Sequence, residues 1–390
     1  MDAGGLNWWQ LVTLLGTLQG LLLAAALATR PSTHTPHRLL AAAIVSLAPF
    51  LASVVYYSAA LVGRFPHLFA LSQPLPFLFG PLVYLYAATA SDRSRRLHWR
   101  DAWHAAPAIL VLILSVPIFR LSAPEKVAMY GAIRAGSPPM VAKMTDVLRF
   151  LSGTGYTVAN LVVLRRHRQI VEDNYSSLER VNLAWVRQLV LAAGGIWLLA
   201  CTLSLAADLG HLPDIEPDLL VATAITGFIY AIGYRGMRQP EIVRFSVASP
   251  DAMAEVTPDV ASAPAERYER SGLDARAAEK IEARLMALME SERLYRRSEL
   301  TLGDLASALD TSPHRLSEVL NAQVRLSFHD FVNGYRVREV QERIAGDDGA
   351  RYTYLVLALD AGFASKSTFN AVFKKQTGMT PSEYRSSREG

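Results

Sequence analysis

Cysteine and charge are both scarce in this chain. Among 390 residues there is a single cysteine, Cys201, which excludes a framework of internal disulfides. It lies inside an apolar run, where a free thiol behaves as a small buried hydrophobe rather than as a redox sensor. Charged residues make up 19% of the chain and hydrophobic residues 51%, a balance that is unusual for a soluble protein.

Motifs of enzymes and metal centres are missing as well. The sequence has no H-E-x-x-H, G-x-S-x-G or P-loop pattern, and its histidines are scattered. The first residues, MDAGGLNWW, lack the basic region of a cleavable signal, so none is predicted. We predict that the protein is not an enzyme, and we predict no cofactor and no metal.

Long apolar runs dominate the chain up to about Tyr234. Seven segments are long and apolar enough to cross about 30 Å of hydrocarbon as helices. Pro74, Pro76 and Pro81 should kink the third of them, which a helix surrounded by other helices tolerates. The predicted spans are Trp8–Thr29, Leu39–Val62, Leu68–Ala90, Ala102–Leu121, Val141–Leu164, Leu183–Ala206 and Leu219–Tyr234.

Arginine residues are concentrated in alternate loops. They follow the first, third and fifth predicted spans. In the loop after the sixth span, by contrast, all the charged residues are acidic. By the positive-inside bias, this pattern predicts a multi-pass protein of a bacterial-type inner (cytoplasmic) membrane, with the N-terminus outside and the C-terminal domain in the cytoplasm. The residues of the arginine loops are Arg30, Arg38, Arg93, Arg95, Arg96, Arg100, Arg165, Arg166, Arg168 and Arg180.

A few polar residues fall within the predicted spans. Arg149 is the most informative, because a charge inside a membrane usually faces a cavity or a partner. Asp146 lies three residues earlier on the same helix face and is the expected partner. Gln73, Arg149 and Asn160 are the candidate lining of a ligand cavity; the alternative is that the two amides only form hydrogen bonds between helices.

A proline-rich segment separates the apolar half from the rest of the chain. Residues 236–272 contain Pro240, Pro250, Pro258 and Pro264, which predict a flexible cytoplasmic linker. An amphipathic connecting helix is predicted within 273–297. The sequence leaves open whether this helix packs on the following domain or pairs with a second copy.

Near the C-terminus, the run YLVLALDAGFASKSTFNAVFKKQTGMTPSEYR predicts two helices joined by a tight turn. Gly362 suits the left-handed residue that ends a helix, and Ser365 suits the cap that begins the next one. Phe369 and Phe373 fall on one face of the second helix, and short polar and basic residues fall on the other. Such a helix-turn-helix has the chemistry of a major-groove reader.

The ordered pattern A-L-D-x-G-F-x-S-x-S-x-F-N-x-x-F-K-K-x-T-G-x-T-P-x-x-Y-R resembles the signature of AraC-type (AraC/XylS) transcriptional regulators. The resemblance covers roughly 298–388. It implies a first helix-turn-helix that begins with a Thr301–Asp304 capping box and has Ser312 as a second cap. It also implies a long helix, from Phe328 to Ile344, that joins the two motifs. Ala371 departs from the pattern, because many relatives carry an arginine there.

The resemblance also implies which residues face DNA. Charge supports this for the second motif: residues 351–388 carry six basic and two acidic residues, whereas 273–390 as a whole has no net charge. Glu318 sits where relatives often place a basic residue. The candidate DNA-binding residues are His314, Arg315, Ser317, Lys366, Ser367, Thr368, Asn370, Lys374 and Lys375.

Together these observations predict an all-α protein in four parts: a polytopic seven-helix transmembrane domain (1–235), the linker (236–272), the connecting helix (273–297) and an AraC-type double helix-turn-helix domain (298–388). The predicted function is that of a membrane-embedded one-component transcription factor. Its expected partners are double-stranded promoter DNA, the lipid bilayer, a small-molecule or membrane-derived signal, and a second copy in a homodimer. The alternative is a transporter or membrane enzyme with a DNA-binding regulatory domain.

Overall fold

A computed structural model describes residues 7–29, 35–92, 95–177, 184–209, 217–238, 275–346 and 348–389. Within these ranges the regular elements are helices, so the predicted all-α class is confirmed. The chain forms two compact units. The N-terminal unit comprises Met1–Arg165 and Leu183–Glu241, and the C-terminal unit comprises Arg166–Asn182 and Ile242–Gly390. Beyond Arg238, the linker predicted at 236–272 lies outside the described residues.

The N-terminal unit is built from long apolar helices. Asn7 begins the first of them with a capping box, in which its backbone and side chain exchange hydrogen bonds of 2.9 Å with Gln10. Six of the described helical segments are long and apolar enough to cross a membrane. The helices are α1 (Trp8–Ala28), α2 (Thr35–Ser58), α3 (Pro76–Ser91), α4 (Ala106–Phe119), α5 (Ala123–Arg134), α6 (Met140–Asn174), α7 (Ala184–Asp208) and α8 (Pro217–Arg238).

Small residues bring several of these helices close together. A Cβ atom on Gly16 of α1 would lie 2.4 Å from the hydroxyl of Thr226 on α8, and one on Gly153 of α6 would lie 2.5 Å from the ring of Trp197 on α7. Neither position has room for a larger side chain. Close backbone approach through glycine is the usual packing device where apolar surroundings give helices no hydrophobic reason to associate.

The third predicted span, Leu68–Ala90, is wrong in its first part. Residues before Pro76 form short 3-10 turns, including Pro66–Leu68, and α3 has only 16 residues. Proline explains the shift: Pro74 and Pro76 have no N–H, so neither can donate the backbone hydrogen bond that would continue a helix through this segment. Pro76 therefore begins the helix instead of kinking it.

The fourth and fifth predicted spans also differ from the structure. A 3-10 segment, Trp99–Ala105, precedes α4, which has 14 residues. Helix α5 was not predicted; it is begun by Ser122, whose backbone N–H and hydroxyl donate to Glu125 at 2.8 and 2.6 Å. Whereas the fifth span was predicted to end at Leu164, α6 continues to Asn174. The division between the two units falls within this helix.

Helices of the C-terminal unit enclose two hydrophobic clusters. The first cluster includes Leu285, Leu305 and Leu316, and the second includes Phe369 and Phe373. The helices are α9 (Ala275–Ser291), α10 (Leu302–Ala308), α11 (Pro313–Val319), α12 (Phe328–Ala345), α13 (Asp348–Arg351), α14 (Tyr354–Asp360), α15 (Lys366–Thr377) and α16 (Pro381–Glu389). Leu285 and Met289 of α9 are fully buried in the first cluster, so this helix packs on the domain that follows it.

Candidate nucleic-acid interface

The second helix-turn-helix comprises α14, the turn after it, and α15. Gly362 has φ +98°, and its N–H donates to the Leu359 carbonyl at 3.0 Å. A Cβ atom there would lie 2.5 Å from the Tyr295 carbonyl oxygen, so both the turn and the close approach require glycine. The Ser365 hydroxyl accepts from the Thr368 N–H at 3.3 Å, which confirms the predicted cap of α15.

One face of α15 is buried and the other is open to solvent. Phe369, Val372 and Phe373 pack into the second cluster. The exposed side chains include Lys366, Ser367, Asn370 and Lys374, which recur at helical spacing along one stripe. Thr368 is half-buried and Ala371 is exposed. The stripe offers hydrogen-bond donors and positive charge from one rigid element, which is what readout of base edges and phosphates requires.

The first helix-turn-helix has the same local construction. Thr301 and Asp304 form the predicted capping box of α10, with backbone-to-side-chain hydrogen bonds of 3.0 and 3.1 Å. Ser312 caps α11, as predicted, by accepting from the Arg315 N–H at 3.3 Å, and Pro313 occupies the first helical position. After α11, Leu320–Val324 forms a π-helical turn that was not predicted.

Exposure differs among the candidates of α11. His314 and Arg315 are exposed, whereas Ser317 and Glu318 are half-buried. Asn321 in the π-helical turn is exposed and donates to the Ser317 hydroxyl at 3.4 Å. Asn321 therefore extends the polar stripe of α11, although it was not among the predicted DNA-binding residues.

The long helix α12 belongs to both hydrophobic clusters. Its first turns carry Phe328 and Phe331 into the first cluster, and its later turns carry Val337 and Val340 into the second. Near its middle, Glu339 accepts two hydrogen bonds from Arg296, at 2.9 and 2.7 Å. The helix thus fixes the two motifs relative to each other, as the resemblance implied.

Lys375 differs from the other candidate residues of α15. Its ammonium lies 2.8 and 3.1 Å from the two carboxylate oxygens of Asp330 on α12. The lysine side chain is 66% exposed, so the pair is at the surface. Lys375 is therefore engaged within the domain, which periodicity could not reveal because the two residues are far apart in sequence.

The three residues predicted to line a ligand cavity do not lie together. Arg149 bonds to Asp146 at 3.1 Å, the partner predicted for it, and to Gln73 at 3.2 Å. Asn160 lies eleven residues further along α6, roughly 16 Å away at the rise of an α-helix. It is buried, and its amide donates to the Tyr156 carbonyl at 2.8 Å. Gln73 and Arg149 form one polar site, and Asn160 is separate from it.

A comparison with known protein families finds a match in the C-terminal unit. Residues 305–387 match the family described as "Helix-turn-helix domain". The C-terminal unit carries a helix-turn-helix domain. The matched range takes in α11, α12 and α15, the helices that present and join the two exposed stripes.

Relatives of the helix-turn-helix domain are transcription regulators by name. The chain is 32% identical over 88 residues to the HTH-type transcriptional regulator YtdP of Bacillus subtilis, covering 23% of this chain and 11% of the relative. It is 28% identical over 86 residues to the melibiose operon regulatory protein of Escherichia coli, covering 22% and 28%. These matches support the resemblance of this domain to AraC-type regulators. No solved structure matches the chain significantly.

The matched region spans between about a tenth and three tenths of these relatives. What they share with this chain is therefore the helix-turn-helix domain. Among the described residues of the whole chain, no group of three or more His, Cys, Asp or Glu residues is placed to hold a metal ion.

Proposed function

We propose that the chain is a membrane-embedded, one-component transcription factor that binds promoter DNA through both helix-turn-helix motifs. The observation that carries this proposal is the pair of exposed polar stripes on α11 and α15, which α12 joins within a matched helix-turn-helix domain. In this proposal Asn370 and Ser367 contact base edges, and Lys366 and Lys374 contact phosphates. The role proposed for the chain is regulatory and involves no catalysis.

Apolar surface supports the membrane part of the proposal. Val147 and Leu151 on α6, and Leu198 and Leu205 on α7, are each at least 60% exposed. Soluble monomers rarely present long helices covered with such residues, because water gains order around them. We assign this surface to lipid contact.

Seven crossings require that α3 also spans the bilayer. Its 16 residues reach about 24 Å, less than the roughly 30 Å of the hydrocarbon core. Phe69 and Ala70, in the turns before it, are buried against protein, and irregular backbone at membrane depth is tolerated only when it is covered in this way. We therefore assign α3 and these turns together to the third crossing, which puts the N-terminus outside and the helix-turn-helix domain in the cytoplasm.

The topology is tested with a reporter that works only in the cytoplasm. Fusion after Arg96 or Arg168 should be active, and fusion after Asp214 should be inactive. Activity after Asp214 would contradict the seven-crossing topology. A fusion after Val62 separates the alternatives further, because that loop is cytoplasmic only if α3 does not cross.

A signal reaches the membrane part in this proposal, and two copies bind DNA side by side. The polar site of Gln73, Arg149 and Asp146 is the best candidate for contact with a small polar signal, since it brings an amide and two charges together at an accessible position of the apolar unit. Because residues 273–390 carry no net charge, one copy should hold DNA weakly, and a homodimer would raise the effective concentration of the second domain.

The function itself is tested on the full-length protein. Mapping of bound chromosomal sites should return a shared sequence. Asn370→Ala should then cost about 1–3 kcal/mol at one base pair and relax the preference there. Gln376→Ala, an exposed position on the opposite side of α15, is the matched control. Equal losses on selected and random DNA for Asn370→Ala would contradict base readout.

A further inference from the structure

A two-residue segment after α6, the half-buried Tyr175 and the buried Ser176, packs within the C-terminal unit. The Tyr175 backbone pairs with Thr301 in an antiparallel β-bridge, and the Ser176 N–H donates to the Leu300 carbonyl at 3.2 Å. Ser176 is completely buried, and its hydroxyl also donates to the Leu300 carbonyl, at 2.7 Å. The segment thus adds a short strand-like contact just before the capping box of α10. We call Tyr175–Ser176 the plug.

Three side chains of α12 converge on the plug. The Ser176 carbonyl lies 3.0 Å from His329 Nδ1, 3.2 Å from Asn333 Nδ2 and 3.3 Å from Arg336 Nη1. All three side chains are buried. A single backbone carbonyl therefore collects donors from three positions on one face of the joining helix, spaced i, i+4 and i+7.

Arg336 is the centre of this arrangement. Its guanidinium is 1% exposed and donates to the carbonyls of Tyr295 and Arg297 at 2.7 and 2.8 Å, to Asn333 Oδ1 at 3.1 Å, and to the carbonyl and hydroxyl of Ser176. Burial lowers the pKa of Arg336 to about 9, which leaves it charged at neutral pH. A buried charge surrounded by neutral acceptors depends on every one of them, and the plug supplies two.

The same guanidinium connects both helix-turn-helix motifs. It lies 5.9 Å from the ring of Phe363, the residue after Gly362 in the turn of the second motif. Gly362 itself packs against the carbonyl of Tyr295, which leads into the first motif. Loss of the plug would leave Arg336 short of acceptors at the point where the turn of one motif meets the entry to the other.

The plug also ends an uninterrupted helix. α6 begins at Met140, among the apolar helices, and continues without a break to Asn174, directly before Tyr175. At 35 residues it is about 52 Å long, roughly 20 Å more than a bilayer core requires. A helix transmits rotation or displacement along its axis far better than a flexible linker does.

We propose that the plug is the device by which α6 controls DNA binding: docked, it completes the acceptors of Arg336 and holds the two motifs in the geometry that binds DNA, and withdrawn, it releases that geometry. The inference rests on the proposed function, because it assigns the control of the same domain. A signal that shifts α6 would act by favouring the docked or the withdrawn state.

The test uses the full-length protein in phospholipid nanodiscs. Ser176→Lys cannot fit a fully buried site and should withdraw the plug. Gln169→Lys adds the same charge at an exposed position of α6 and is the matched control. Hydrogen exchange of 295–301 and 328–337 should quicken in Ser176→Lys only. Its affinity for duplexes enriched from a random pool by the wild-type protein should fall on the order of tenfold, within the range of couplings between sites.

A disulfide supplies the opposite perturbation. Paired residues of an antiparallel bridge lie about 4.5–5.5 Å apart at Cα, within the range that a disulfide spans. Tyr175→Cys with Thr301→Cys, in a Cys201→Ser background, should lock the plug when oxidised. The oxidised protein should exchange more slowly over 295–301 and bind the enriched duplexes at least as tightly as its reduced form, with Thr301→Cys alone as the control.

Two results would overturn the proposal. One is equal exchange and equal affinity for Ser176→Lys and Gln169→Lys. The other is weaker DNA binding by the oxidised cross-link than by its reduced form, which would mean that the docked plug inhibits. If the wild-type protein enriches no duplex, the proposed function fails, whereas the exchange measurements still report whether the plug docks.

Discussion

In both helix-turn-helix motifs a serine caps the second helix, Ser312 in the first motif and Ser365 in the second, and each hydroxyl accepts an N–H at 3.3 Å. The exposed surfaces differ. α15 presents lysines in a segment with a net charge of +4, whereas α11 presents His314 and Arg315 beside the half-buried Glu318. Identical local construction therefore carries unequal electrostatics. We infer that the second motif supplies most of the phosphate attraction.

The two motifs also differ in what surrounds their joining helix. The first motif adjoins the plug, with His329, Asn333 and Arg336 gathered around Ser176. The second is stabilised mainly by its aromatic cluster, in which Phe363, Phe369 and Phe373 meet at ring-centroid distances of 5.3 and 5.4 Å. A polar contact from outside the motif can therefore change the stability of the first motif. The second motif depends mainly on contacts among its own residues.

The largest expected effect is a loss of stability that is confined to one of the two hydrophobic clusters. Phe369→Ala should destabilise the second motif by about 3–5 kcal/mol, because it removes a fully buried aromatic ring and leaves a cavity. Hydrogen exchange should quicken over α14–α16 while the residues of the first cluster keep their protection. Met379→Ala, a change at an exposed residue, is the control. Equal loss of protection in both clusters would show that the motifs unfold as one unit.

A smaller effect compares the charges of the two motifs. Lys374→Ala should weaken binding to all DNA sequences and flatten the dependence of log affinity on log salt by about one unit. Arg315→Ala should flatten it less, since Glu318 lies near the same stripe. The measurement is DNA binding of the full-length protein across a salt series. A steeper loss for Arg315→Ala would reverse the assignment.

A pH effect should appear at the plug. Burial lowers the pKa of His329 from its ordinary value of 6.5, although Asp330 and Glu172 oppose the shift. Between the lowered folded pKa and 6.5 the unfolded chain binds more protons, so stability rises with pH in that window and falls as pH drops below 6.5. Protection of the Ser176 amide should therefore decrease from about pH 7.5 to about pH 5.5.

The control for this pH effect is His329→Gln, which keeps a hydrogen-bond donor and removes the titration. Its protection at Ser176 should be lower throughout and should not change over the same interval. An unchanged pH response in this variant would assign the titration to another group.

The smallest expected effect concerns Lys375. Asp330→Asn should cost only about 0–1 kcal/mol of stability, because its ion pair with Lys375 lies at the surface. It should strengthen DNA binding slightly by freeing the lysine for phosphate. Glu292→Gln removes the same charge from an exposed position away from Lys375 and is the control. An equal gain in both variants would mean that Lys375 does not meet phosphate.

Elements that depend on neighbouring residues could be predicted from the sequence. The Thr301–Asp304 capping box, the Ser312 and Ser365 caps and the Gly362 turn all rest on hydrogen bonds or backbone angles within four residues. The same holds for the Asp146–Arg149 pair on one helix face. Apolar length likewise predicted the long helices of the N-terminal unit, since a continuous apolar run leaves few other structures for the backbone.

Tertiary structure decided what distant residues do. The sequence places Lys375 among the candidate DNA-binding residues, whereas in the structure it pairs with Asp330, 45 residues away. The sequence did not show which of its prolines begins α3; in the structure it is Pro76. The residues of α6 beyond Leu164 are mostly polar, so no apolar run predicted that the helix continues to Asn174. Ser176 is an ordinary loop serine in the sequence. Only the fold brings it to Arg336, 160 residues away, because buried hydrogen bonds are set by packing of the whole domain and not by the residues adjacent in the chain.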